Sequence, residues 1–144
     1  MAERHRARQI AVQVLFQLEL QPGDWREPLR YHLEQQPLTP ADRSFLEALL
    51  QGAADHHQEI DVAIASGSSH WTLDQMGAVE RAVLRLAVEE LDLGDAPRAV
   101  VISEGVALAK LMAGDEAAKF VNGVLGNLGR RQGGVRSGAG TPGR

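Results

Sequence analysis

A chain of 144 residues with a net charge of −4 has the size of one domain and can bury one core. It contains no cysteine, which excludes a disulfide framework, a thiolate zinc site and a cysteine nucleophile together. Charges interrupt every apolar stretch and no apolar h-region follows the arginine-rich start, so the sequence shows neither a membrane span nor a signal peptide and reads as cytoplasmic.

The charge is unevenly placed. Arg4, Arg6 and Arg8 stand against Glu3 at the start, and Arg130, Arg131, Arg136 and Arg144 have no acid among them at the end. The acidic excess therefore lies between two basic ends, a pattern that attracts polyanions locally rather than globally.

Apolar residues recur at three- and four-residue spacing throughout, and runs suited to strands are scarce, so the expected fold is all-α with about six to seven helices. The first helix runs from about Arg4 to Leu20 and stops before Gln21-Pro22-Gly23-Asp24. A second lies near Trp25 to Gln35. Thr39 caps and Pro40 opens a helical pattern from Ala41 through Ile64, with Gly52 as a point of division or bending. Ser66 to His70 reads as a loop, after which Thr72, with Gln75 at the capping-box position, starts a helix to Leu91. That helix is apolar around more than half its circumference and should be central to the fold. The break at Leu93–Pro97 leads into a helix carrying Val101, Val106, Leu108 and Leu111; Gly114-Asp115 ends it, and a last helix covers Glu116 to about Leu128. Residues 1–129 form the folded domain. Residues 130–144, with five glycines in the last twelve and only Val135 to bury, read as a disordered basic tail.

On the first helix, Ala7, Ala11, Val14, Leu15 and Leu18 fall within an arc of about 100°, the expected core face. Arg6, Gln9, Gln13 and Phe16 gather opposite, with His5 nearby, and Phe16 lies about 170° from the centre of the apolar arc. A cation-rich face with an aromatic suits single-stranded RNA, whose phosphates take cations and whose splayed bases stack on planar side chains. The alternative is that Phe16 packs beneath the second helix or a partner protein. Phe120 on the last helix sits at the fringe of its core stripe beside Lys119 and Asn127, and by periodicity alone more often closes a core edge. Glu80 falls inside the apolar arc of the central helix and should find an internal partner, with Arg81 and Arg85 on the solvated face.

Nothing supports catalysis. Asp55, His56, His57, Glu59 and Asp61 could be drawn as a metal cluster, but adjacent histidines point to different sides of a helix and the acids read as a solvated face. No glycine-rich phosphate loop, nucleophile elbow or helical His-Glu-x-x-His is present, so neither an enzyme nor a cofactor is expected.

Arg4-His-Arg-Ala-Arg8 followed by Ala11-Val-Gln-Val-Leu-Phe16 resembles the opening helix of the bacterial NusB family. Val79-Glu-Arg-Ala-Val-Leu-Arg-Leu-Ala87 with Glu90-Leu91, then Ala109-Lys110 and Lys119-Phe-Val-Asn-Gly-Val-Leu125, resemble that family's pattern in order and spacing over about residues 4–129. The resemblance implies a bundle of two small helical subdomains, a transcription antitermination factor that binds boxA RNA together with the ribosomal protein NusE. Such a factor works with RNA polymerase and other Nus factors in ribosomal RNA synthesis, with no membrane role. Carried over by position, the RNA-binding residues are Arg4, Arg6, Arg8, Phe16, Lys119, Phe120 and Asn122, to which the polar face of the first helix adds Gln13, and Glu80 matches an acidic position implicated in NusE contact. The chain departs from the pattern at Glu89, where an aromatic is common, and at Ile102-Ser-Glu-Gly105, which often reads Ile-Asn-Glu-Ala. Two other readings stay open: a protein-binding scaffold or homodimer without RNA function, and an RNA-binding accessory domain like those fused to ribosomal RNA methyltransferases, against which the length of the chain argues.

Overall fold

A computed structural model describes residues 3–129; the basic tail of residues 130–144 lies outside the described residues. Seven α-helices follow one another: α1 (Glu3–Leu20), α2 (Arg26–Gln35), α3 (Pro40–Asp55), α4 (His57–Gly67), α5 (Ala78–Leu93), α6 (Arg98–Ala113) and α7 (Asp115–Gly129). The all-α expectation holds. Local chemistry sets the boundaries: the Thr39 side chain accepts from the Asp42 N–H at 3.2 Å with Pro40 in the first turn of α3, which satisfies an otherwise orphaned amide. Glycines end α5 and α6 at Gly94 and Gly114, with φ of 73° and 94°, a backbone region that side chains with a Cβ avoid.

Two expectations about elements are corrected. The pattern from Ala41 to Ile64 is not one helix, because the chain turns at His56 (φ −113°, ψ 22°). Gly52 lies within α3, where it makes room: a Cβ there would stand 1.9 Å from Oε2 of Glu89. The turn lets α3 pack on α1 while α4 packs on α5 and α7. The capping box at Thr72 is real, with the Thr72 N–H donating to Gln75 Oε1 at 2.9 Å. It caps a separate 3₁₀ turn, Leu73–Gln75, and α5 starts afresh after Gly77. Helix α4 also runs through Ser66 and Gly67, which read as loop in the sequence.

The core is continuous. Helix α1 packs between α3 with α2 on one side and α5 on the other, and α5 also meets α4, α6 and α7. Ala82, Val83, Leu84, Leu86, Ala87 and Val88 of α5 are all buried, in accord with its expected central place. Because α1 is covered on two sides, Ile10 and Val12 are fully buried beside Ala7, Ala11 and Val14. Its buried arc is wider than a one-sided amphipathic helix would have.

Charged side chains complete this packing along the α1–α5 seam. Near one end, Arg8 donates through Nε and Nη2 to the two oxygens of Glu90 at 2.8 and 2.6 Å. Near the other, Glu19 accepts from Arg81 Nη2 at 2.8 Å and from Arg85, whose Nε and Nη2 also reach the two oxygens of Asp61 at 2.8 and 3.0 Å. The pairing order makes α1 and α5 antiparallel. Arg81 and Arg85 are therefore not on a solvated face, and neither is Asp61, since α1 and α4 lie over them.

Candidate nucleic-acid interface

The first turns of α1 bring several cations together. Arg4 lies over the ring of Phe45 on α3, its guanidinium carbon 4.1 Å from the ring centroid, and Arg8 approaches the same ring to 5.4 Å. The quadrupole of the ring attracts both cations. Phe45 is almost fully buried, whereas Arg4 is half-buried and His5 and Arg6 are exposed. The two outer arginines and His5 thus lie at the surface on a helix start that is fixed to the core.

Arg8 has a different position from its neighbours. It is buried with Glu90, and its third contact is Glu104 of α6, 3.7 Å from Nη1. The hydrogen bond to Glu90 raises the guanidinium pKa against the opposing effect of burial, with the charges of Glu90 and Glu104 acting in the same sense. Glu104 also sits 3.2 Å from His5 Nδ1. The reading of Arg8 as a phosphate contact must therefore be revised: its fork is already engaged by carboxylates, and what it does is fix α1 against α5 and α6.

Phe16 is half-buried and packed against the core, not turned to solvent. It follows the buried Val12 by one helical turn, along the flank that the second layer of packing covers. Gln13 is likewise half-buried, and its Oε1 is enclosed without a hydrogen-bond partner among the described residues. Glu80 does not have the internal cation expected of it: among the described residues it makes no ion pair. Its carboxylate folds back over Gly77, where a Cβ would come within 2.3 Å of Oε1, in the first turn of α5, where the helix dipole favours negative charge.

On α7, Lys119 and Asn122 are exposed and Phe120 is half-buried. Phe120 meets Trp71 edge to face, with ring centroids 6.2 Å apart and planes at 78°. Gly105 on α6 packs against Leu125 of α7 and against Val83 and Ala87 of α5. Arg8 lies beside Glu90, in the last turns of α5. Three of the residues drawn as a metal cluster are otherwise engaged: His56 Nδ1 is 3.3 Å from the buried Glu89, Asp61 pairs with Arg85, and Asp55 accepts from Gln51.

Two residues at this surface escape the sequence reading. Phe45 has no local signal, since its partner Arg4 is forty-one positions away. Trp71 has one: a tryptophan in a Ser-Gly-rich loop, with no apolar stripe to join.

The NusB family model matches residues 5–130. The chain belongs to the NusB family. The transcription antitermination protein NusB of Exiguobacterium sp. is 39% identical over 127 residues, covering 88% of this chain and 96% of that protein. A solved structure of the antitermination factors NusB and NusE in complex with dsRNA superposes with a TM-score of 0.79 at 33% identity, over 88% of this chain and 95% of that one. NusB of T. maritima superposes with a TM-score of 0.82 at 29% identity, over 90% and 92%. Glu90 and Arg8, both among the motifs that carry the resemblance, are also the residues that join α1 to α5.

Proposed function

We propose that this chain is a transcription antitermination factor that binds boxA-type single-stranded RNA together with NusE and supports processive transcription of ribosomal RNA operons. The observation that carries the reading is the start of α1, where Arg4, stacked on Phe45, and the exposed His5 and Arg6 form a cationic surface on a rigid support. Cations on phosphates provide affinity, and guanidinium or aromatic planes under splayed bases discriminate single strands. Lys119, Phe120 and Asn122 form the second part of the surface. Glu80 belongs to the NusE contact, on the first turn of α5. Family membership and the NusB–NusE complex with RNA support this assignment. The setting is the cytoplasmic transcription complex with RNA polymerase and other Nus factors.

The test is a titration of boxA-type RNA, single-stranded and as a duplex, against wild type and an Arg4→Ala/Arg6→Ala variant, with and without NusE. Wild type binds the single strand more tightly than the duplex, NusE increases that affinity, and the variant binds at least tenfold more weakly with an unchanged helical spectrum. Equal binding by the two proteins would contradict the assignment.

A further inference from the structure

Trp71 is a large apolar side chain that is 51% exposed, although burial of an indole is among the larger apolar contributions a residue can make. Its backbone is not loose. The buried Ser68 places its Oγ 3.1 Å from both the Trp71 and the Ile64 carbonyl oxygens, which share its one hydroxyl hydrogen, while the Trp71 N–H points to the Ser68 carbonyl at 3.5 Å. On the other side the next residue is held by Gln75. The indole is therefore presented at a fixed position, and its edge-to-face contact with Phe120 sets its orientation.

We propose that Trp71, braced by Phe120, is a base-stacking platform for single-stranded RNA at the α7 end of the surface. The proposal rests on the RNA-binding reading above and adds a contact to it. Two perpendicular rings offer a face and an edge in one step, and a fixed indole face takes a base with little loss of side-chain freedom. The charges here differ from those at the start of α1. Lys119 Nζ is 4.0 Å from Glu116, Lys110 Nζ is 3.7 Å from Asp115, and Asp74 is exposed nearby in sequence. Lysines and acids are nearly balanced, so this end contributes stacking and little phosphate attraction. That balance makes the platform separable from the arginine end by its salt dependence.

The experiment is a titration of end-labelled boxA-type single-stranded RNA against wild type, Trp71→Ala and Trp71→Phe, at several salt concentrations, with indole fluorescence followed in parallel. Trp25, the other tryptophan, is buried, so a fluorescence change on binding reports Trp71. The expected result is quenching in wild type that is absent from Trp71→Phe. Affinity falls about tenfold in Trp71→Ala, corresponding to one base stack, and is largely restored in Trp71→Phe. The slope of log affinity against log salt is the same in all three. Wild-type affinity in Trp71→Ala with no quenching in wild type would overturn the platform while leaving the RNA assignment intact. In a parallel titration of the same three proteins with NusE, loss of NusE binding with RNA affinity retained would assign the indole to a protein contact and overturn the platform equally. Absence of RNA binding by wild type would overturn both.

Discussion

At the end of the α1–α5 seam where Glu19 meets Arg81 and Arg85, every guanidinium is held by a carboxylate of the fold. At the other end Arg8 is held in the same way by Glu90, but one helical turn away Arg4 lies over an aromatic ring and Arg6 is exposed. The same residue type thus serves cohesion in one set of positions and lies at the surface, where RNA binding is proposed, in another. What separates the two is the presence of a helix packed over the side chain.

The largest expected effect is at Arg8. Arg8→Ala leaves Glu90 buried without its partner and lowers stability by about 3–5 kcal/mol in denaturant unfolding. Arg8→Lys restores part of this, since an ammonium cannot reproduce the two-pronged contact. A destabilisation below about 1 kcal/mol, the range of an exposed ion pair, would place Arg8 with the ligand-facing arginines.

The next effect belongs to Glu19. Burial alone would raise its pKa, but the hydrogen bond from Arg81 and the charges of Arg85 and Arg81 outweigh it and hold the carboxyl below its ordinary value. An acid with a lowered folded-state pKa stabilises the fold above its unfolded value, about 4.3, and loses that contribution as the pH falls through the folded value. Glu19→Gln is expected to cost about 2 kcal/mol at neutral pH and to make the decline of stability below about pH 4 shallower than in wild type. Parallel acid curves for the two proteins would remove Glu19 from the account.

Smaller still is the effect of Phe45→Leu, a change of shape in the core worth about 1 kcal/mol of stability. Its sharper consequence is for RNA, because the plane beneath Arg4 disappears, and with it a cation–ring attraction of about 0.5–1 kcal/mol. Affinity for single-stranded RNA should fall about two- to fivefold, the same energy expressed as a ratio, and Phe45→Tyr should recover it.

The comparison of the two ends also shows what the amino-acid order can reveal. Helix starts are legible at Thr39 with Pro40 and at Pro97, because those signals act within one turn, whereas the cap at Thr72 marks only a 3₁₀ turn. The central place of α5 is legible from its wide apolar arc. The break at His56 is not, since no proline or cap marks it and the ring's partner, Glu89, lies on another helix. The roles of Arg8, Arg81 and Arg85 escape for the same reason: each has its carboxylate twenty-four to eighty-two positions away, and a helical wheel registers only the residue's own helix. Phe16 reads as exposed because the wheel assumes one covered side where α1 has two. At the candidate site, Arg4 and Arg6 can be read from local charge, whereas Phe45 beneath Arg4 and the Trp71–Phe120 pair require the tertiary fold.

The most direct test of the division between cohesive and ligand-facing arginines is the salt dependence of boxA-type RNA binding by Arg4→Ala/Arg6→Ala. The account predicts unfolding free energy within about 1 kcal/mol of wild type, the most that the lost contact of Arg4 with the Phe45 ring contributes. It also predicts a slope of log affinity against log salt flatter by about 1.4, or about 0.7 for each single-strand phosphate that is no longer neutralised. An unchanged slope, or a large fall in stability, would contradict it.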